Sequence, residues 1–383
     1  MEFRDLKKQY SVLKNEIDMK IAEVCTSAHF ISGAQVSELE RQLAEYVGVK
    51  HCISCANGTD AITLALKAWG IGRGDAVFVP DFTFFSSGEC PAAEGAVPVF
   101  VDVDENSFNI DVKKLEEAVI RVLGEGEYAP KAVIAVDLFG QPADYAEIKE
   151  ICRKYGLLLL EDGAQGFGGS IDGKKACGFG DISTTSFFPS KPLGCYGDGG
   201  AVFTNNDEWA AIIRSLAVHG KNSENKYDNI RLGMNSRLDT LQAAVLQVKL
   251  KAFKDHELQD INTAALMYNE ALADTGLILP HIKNGYISSW AQYTVQLQRG
   301  IDRNVLKKYL QDRSIPTMIY YMKPMHSQQA FSGTHSAEAD CPVTRKLCET
   351  VLSLPIHPYL SREDIYTIRN ALTEAMNESR MIR

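Results

Sequence analysis

Short, near-continuous apolar runs recur through the first half of this chain, at residues 76–79, 97–101, 132–136, 157–160 and 201–203. Helical patterns separate several of them, as at 144–155. A strand that is apolar along its whole length must be buried on both faces. Joining such strands through helices implies a mostly parallel sheet covered on both sides, an α/β fold. Two further segments read as helices: 36–47, with Leu39, Leu43 and Val47 on one stripe, and 58–70, rich in Ala and Leu. Sheets of this kind hold ligands beyond the carboxyl ends of their strands. That edge is where chemistry is expected.

From about residue 241 the pattern changes: a helix over 238–258 leads into a more mixed segment. With 383 residues there is material for a large domain, placed at 1–245, and a smaller one, at 246–383. A net charge of −9 argues against a general nucleic-acid binder, which needs a basic face. No apolar run approaches membrane-spanning length, and the charged start, Met1-Glu2-Phe3-Arg4-Asp5-Leu6, lacks the apolar core of an export signal. The nine cysteines are scattered, and the lone pair Cys52 and Cys55 has no second pair to complete a zinc site. Reduced thiols, a cytoplasmic location and no metal are expected.

The chemistry-bearing residues cluster at strand ends. Asp162 follows the run 157–160, and Lys191 follows Ser186-Phe187-Phe188-Pro189-Ser190 ahead of a glycine-rich turn. Small, aromatic and glycine neighbours strip solvent from a lysine, lowering its pKa and making the neutral amine available. A lysine for an aldehyde and a carboxylate for a ring nitrogen suit pyridoxal 5'-phosphate. Gln165 is placed to reach the ring hydroxyl, and Ser186 the phosphate. Asn57-Gly58-Thr59 opens the helix at 58–70, where free amides suit a phosphate, although Asn and Thr are also ordinary helix caps. A ring from Phe82-Thr83-Phe84-Phe85 can stack on the cofactor, with core packing an equal alternative. Among the histidines only His326 stands out, at the end of the aromatic segment Ile319-Tyr320-Tyr321-Met322-Lys323-Pro324-Met325-His326.

These residues together closely resemble the DegT/DnrJ/StrS family of sugar aminotransferases. The likeness extends through Gly197-Asp198-Gly199-Gly200 and Gly233-Met234-Asn235-Ser236-Arg237-Leu238-Asp239 and covers nearly the whole chain. It implies the aspartate-aminotransferase-like architecture, fold type I of the pyridoxal-phosphate-dependent transferases. That architecture has a large, mostly parallel sheet domain and a smaller α+β C-terminal domain. It further implies that Lys191 bonds the cofactor, Asp162 pairs with the pyridine nitrogen, and Gln165 contacts the ring hydroxyl. Phe84 then stacks on the ring, and Gly58, Thr59 and Ser186 cradle the phosphate. Asn235 would reach that phosphate from a neighbouring subunit, which makes the expected assembly a homodimer with shared sites. L-glutamate is the implied amino donor and a nucleotide-linked ketosugar the acceptor. One branch of the family replaces the lysine with histidine and dehydrates its substrate; this chain keeps Lys191, which favours transamination.

The segment from Asn235 to Asp239 looks like the branch acting on UDP-2-acetamido-2-deoxy-3-oxo-glucuronate, where an arginine, here Arg237, meets the sugar carboxylate. That branch often shows His-Tyr-Pro where this chain has Tyr320-Tyr321-Met322; Tyr320, Tyr321 and His326 are candidates for substrate contact. A 4-keto-6-deoxy nucleotide sugar is the alternative acceptor, and a non-catalytic regulatory protein that binds the cofactor is the alternative role. A nicotinamide-dependent oxidoreductase needs a G-x-G-x-x-G turn, and both candidates, at Gly166 and Gly178, fail at the last position.

Overall fold

The central sheet runs in the order β1-β9-β8-β5-β4-β2-β3. Its strands are β1 (His51–Cys55), β2 (Asp75–Pro80), β3 (Val97–Val101), β4 (Ala129–Val136), β5 (Leu158–Asp162), β8 (Ile182–Ser186) and β9 (Gly200–Thr204). Short pairs β6 (Ser170–Ile171), β7 (Lys174–Lys175) and β10 (Tyr286–Ile287) make a minor sheet, and β11 (Tyr293–Gln296) pairs with β12 (Val351–Leu354). The computed structural model describes residues 1–381 apart from 223, 224, 226 and 299. Only β9 runs against its neighbours in the central sheet, antiparallel to both β1 and β8. The other strands are therefore mutually parallel and end on one edge. The expected strands are all present, extended by a few residues, and 97–101 coincides with β3.

The helices are α1 (Leu6–Ser27), α2 (Ala34–Val47), α3 (Gly58–Ala68), α4 (Ser86–Ala93), α5 (Val112–Glu125) and α6 (Tyr145–Tyr155). They continue as α7 (Asp207–Leu216), α8 (Thr240–Ala252), α9 (Leu258–Leu272), α10 (Arg303–Asp312), α11 (Pro342–Thr350) and α12 (Arg362–Met381). Side-chain caps start several of them: the carboxylates of Asp5 and Asp111 accept from the amides of Lys8 and Lys114, and Asn57 accepts from Asp60. One sheet face packs through Val77, Val79, Ile134 and Leu160 on α3, α4 and α7, and the other through Phe78, Val133 and Leu159 on α5 and α6. Covering both faces is what the apolar strands demanded.

A second core, built on Ile261, Tyr268, Tyr293, Leu306, Leu352, Ile368 and Leu372, joins α9, α10 and α12 to β11 and β12. The link to it departs from the expected helix at 238–258. Here α8 ends at Ala252, a widened π-type turn covers Phe253–Glu257, and α9 carries the helix on to Leu272. Nothing in the segment breaks a helix, so it continues, and the wide turn buries both Phe253 and Glu257. The first helix, α1, was not expected; its buried Leu13, Ile17 and Val24 are spaced helically among many charges, and Leu13 and Ile17 pack on α8.

Candidate active site

Five of the six mutually parallel strands deliver a functional segment to the same edge. After β1 come Asn57 and Gly58, after β2 the stretch Asp81 to Phe85, after β4 Leu138 and Phe139, and at the end of β5 Asp162. The end of β8 supplies Ser186 and, beyond it, Lys191. Asp162 pairs in register with Val136 of β4 and Thr184 of β8, which fixes its backbone from both sides.

The Asp162 side chain is 5% exposed. Its Oδ2 accepts from the Ser87 hydroxyl at 2.8 Å and its Oδ1 from the Ala164 amide at 3.2 Å. Burial raises its pKa, and the Ser87 and Ala164 bonds and the charge of Lys191 oppose that rise. Burial lowers the Lys191 amine, and the neighbouring Asp162 carboxylate resists the shift while Arg4 adds to it. Among the described residues the Lys191 Nζ has no hydrogen bond or ion pair. A carboxylate and an unpartnered amine in one desolvated site are what an amine-condensing cofactor requires.

Gln165, at the turn after β5, is fixed at both ends. Its Oε1 accepts from the Phe139 amide at 2.7 Å and its Nε2 donates to the Tyr321 hydroxyl at 3.2 Å. Tyr321 packs edge-on against Phe82, with ring centroids 5.9 Å apart, and lies 6.5 Å from the ring of Phe84. Phe84 is 55% exposed, so it serves the core little and offers a ring face at the site. Tyr320 sits beside Tyr321, and its ring meets Phe3 from the start of the chain.

Gly58 opens α3, and Asn57 is its cap, as the plain reading of that residue expected. A Cβ at Gly58 would stand 2.8 Å from the Ser186 Cβ, so the absence of a side chain lets these two elements touch. The Thr59 hydroxyl lies 2.7 Å from that of Ser86. Gly58, Thr59 and Ser186 thus surround a helix N-terminus with amides and hydroxyls, the chemistry of a phosphate site.

Three further predicted residues do not line the Lys191 cavity. His326 is buried against Asp81, with Nδ1 2.7 Å from Oδ2 and its amide donating to Oδ1 at 2.8 Å. Asn235 is exposed on the segment between α7 and α8. Arg237 lines an open cavity with Glu40, Ser54 and Arg214, separate from the cavity that holds Lys191. Its side chain has no partner among the described residues.

Sequence reasoning missed Ser86 and Ser87, although two hydroxyls directly after the aromatic run at a strand end were a readable signal. It also missed Arg4 and Lys249. Arg4 lines the Lys191 cavity with Glu257, Ser289, His357 and Tyr359. Lys249 is 2% exposed within α8, and burial lowers its pKa to about 8 while Glu257 resists. A lone charge in a helical pattern gives no hint that it faces inward.

The chain is similar over its length to known proteins. The UDP-2-acetamido-2-deoxy-3-oxo-D-glucuronate aminotransferase of Pseudomonas aeruginosa is 44% identical over 373 residues, covering 97% of this chain and 99% of that one. The crystal structure of a DegT DnrJ EryC1 StrS aminotransferase from Brucella abortus superposes with a TM-score of 0.94 at 46% identity, covering 98% and 99% of the two chains. That of ntda from Bacillus subtilis with bound cofactor PMP gives 0.83 at 27% identity, covering 96% and 82%. The pattern of one family matches residues 11–373, and this chain belongs to it: the DegT/DnrJ/EryC1/StrS aminotransferase family.

Proposed function

We propose that this protein is a pyridoxal 5'-phosphate-dependent aminotransferase that moves the amino group of L-glutamate onto the keto carbon of a nucleotide-linked sugar. The acceptor is a UDP-linked 3-keto-N-acetyl-hexuronate, and the setting is cytoplasmic synthesis of a surface polysaccharide or glycan. The observation that carries the reading is the unpartnered Lys191 amine facing the buried Asp162 carboxylate at the carboxyl edge of the sheet. The 44% identity to the Pseudomonas enzyme supports the choice of acceptor. Among the described residues no helix is long and apolar enough to cross a membrane.

The residues fit the cofactor. Asp162 is a buried carboxylate whose hydrogen bonds come only from the neutral Ser87 hydroxyl and Ala164 amide, and the glycine at the start of α3 brings its amide close beside Ser186. When bound, pyridoxal 5'-phosphate supplies an aldehyde that condenses with amines and a ring that withdraws electrons. In this reading Asp162 holds a proton on the ring nitrogen. The amides of Gly58 and Thr59 and the Ser186 hydroxyl take the phosphate, Gln165 meets the ring hydroxyl, and Phe84 covers the ring face. Lys191 takes a proton at Nζ from the donor's α-carbon and returns it to a neighbouring carbon, base first and acid second. Tyr320 and Tyr321 line the acceptor side, and Arg237 takes the uronate carboxylate.

The assembly is a homodimer in which Asn235 and Arg237 serve the partner's site. Large apolar side chains on the segment just before them support this, Leu232 at 95% exposure above all. The division into domains at 1–245 and 246–383 belongs to the same proposal, and the separate core around Tyr268 and Tyr293 supports it.

The test is the visible spectrum of the cofactor-loaded protein before and after L-glutamate, followed by addition of the UDP-linked 3-keto-uronate. Loss of the lysine-bound band with glutamate and its return with the sugar is the expected result. A band that glutamate leaves unchanged would overturn the choice of donor, and a band that returns only with a 4-keto sugar would overturn the choice of acceptor.

A further inference from the structure

Arg4 stands in the cavity that holds Lys191. Its Nη1 makes two long contacts, 3.4 Å to the Trp290 carbonyl and 3.3 Å to that of Ile356. Its Nε and Nη2 have no partner, and no carboxylate lies within ion-pair distance of it among the described residues. The two carboxylates of the cavity are engaged elsewhere. Asp5 accepts from the Lys8 amide, and Glu257 accepts from the Gln9 amide group at 3.0 Å and the Tyr359 hydroxyl at 2.5 Å. Buried Lys249 lies within electrostatic reach of Arg4 and adds a further positive charge. The Glu257 carboxylate offsets part of the charge of both cations, but it makes no ion pair with Arg4, whose Nε and Nη2 stay open to an arriving anion beside the Lys191 amine.

We propose that Arg4 binds a carboxylate of the amino donor, holding the α-amino acid in place at Lys191. This rests on the aminotransferase reading and adds the residue that selects the donor. A guanidinium with two free donor sites matches a carboxylate bidentately. The choice of donor over sugar follows from bond counting. In an α-amino acid the carboxylate is attached to the very carbon whose proton Lys191 removes, so both groups must face one small cavity. In a 3-keto-uronate the carboxylate is attached to a carbon two removed from the reacting one. Arg237, in the other cavity, is the separate candidate for that group. The competing structural role for Arg4 is to staple the start of the chain to the carbonyls of Trp290 and Ile356.

The experiment uses the cofactor-loaded protein and the variants Arg4→Gln and Arg4→Lys. Glutarate, a dicarboxylate without an amine, is titrated by calorimetry, and KM is measured separately for L-glutamate and for the nucleotide sugar. Loss of a charged hydrogen-bond pair predicts glutarate binding weaker by about 10-fold or more in Arg4→Gln, with a similar rise in the glutamate KM. The sugar KM stays unchanged, and Arg4→Lys recovers part of the loss. Equal glutarate affinity in all three proteins overturns the proposal, as does a lowered melting temperature with both KM values unchanged, which is the staple alone. A rise confined to the sugar KM also overturns it and assigns the carboxylate to the sugar. Wild-type protein that binds glutarate through Arg4 but does not transaminate glutamate leaves the carboxylate site standing and overturns the choice of L-glutamate as donor instead. If Arg4→Gln does not fold, the Arg4→Lys comparison alone decides, because it keeps the charge and changes the fork.

Discussion

Gln165 and Tyr321 are joined side chain to side chain, the Gln165 Nε2 donating to the phenolic oxygen at 3.2 Å while its Oε1 is taken by the Phe139 amide. The bond ties the turn after β5 to a segment far along the chain and fixes the tyrosine ring between Phe82 and Phe84. Tyr321→Phe keeps the ring and loses the hydroxyl, so it should cost about 0.5–1.5 kcal/mol, roughly 2- to 12-fold in kcat/KM. Gln165→Ala should cost more, because the buried Phe139 amide loses its acceptor. A Tyr321→Phe variant more impaired than Gln165→Ala would reverse this order of importance.

Lys191→Ala should abolish transamination and the lysine-bound absorption band with no change in far-ultraviolet circular dichroism. In the wild type the amine titrates below 10.5 because burial lowers it. It is therefore neutral, and able to condense, at lower pH than a free lysine. Removing the Asp162 charge with Asp162→Asn should lower the midpoint further. Removing the Arg4 charge should raise it. The pH dependence of covalent cofactor uptake by the empty protein reads all three, and midpoints that move in the opposite order would reject the electrostatic account.

Asp162→Asn should also expose a conflict between stability and activity. Burial holds the folded pKa of Asp162 above its ordinary value of 3.8. For an acid raised in this way, the unfolded chain ionises first as pH rises through that value. Stability therefore falls with pH, and the full cost is present above the folded pKa. At neutral pH the cofactor-free Asn variant should melt no lower than the cofactor-free wild type, yet lose most activity. Thermal melts of both empty proteins check the first half and steady-state rates the second.

His326→Ala should act mainly on stability. The ring is 9% exposed and its Nδ1 sits 2.7 Å from the fully desolvated Asp81 carboxylate. Removing the ring leaves the buried Asp81 carboxylate with the residue 326 amide but without its side-chain partner, a loss of about 3–5 kcal/mol, whereas Asp81→Asn in the same protein should recover part of it. Urea unfolding of the single and double variants measures the coupling. A loss of sugar affinity with unchanged stability would instead put His326 in contact with substrate.

Arg237→Ala should weaken carboxylate-bearing nucleotide sugars by about 10- to 100-fold and neutral ones little, as expected for a charged hydrogen bond. Competition assays with UDP-N-acetylglucosamine and its uronate supply the comparison. Equal losses for both would remove the argument for a uronic acid.

The sheet was legible because β2 to β5 are apolar on both faces, and the run at 97–101 matches β3 end to end. By contrast β8, Ile182-Ser183-Thr184-Thr185-Ser186, is mostly hydroxyl-bearing and carries no hydrophobic signature. Its polar groups are buried because Ser183 bonds the Glu161 carboxylate and Thr185 bonds the Gly163 carbonyl, partners no local pattern reveals. The site divides along the same line. Lys191, Asp162 and Gln165 sit at strand ends where the fold class predicts function. Arg4 joins them only because the start of the chain folds across Trp290 and Ile356, which no local window contains.

That crossing has a consequence for how the molecule comes off the ribosome. The cavity around Lys191 is walled in part by Arg4 together with Ser289 and His357 from far along the chain. A nascent chain folds from its beginning as it emerges. With its last hundred or so residues still unmade, it can form the sheet and present Lys191, but only in an open trough. The enclosed pocket that strips water from the lysine closes late in synthesis, when the last segments arrive to meet the first.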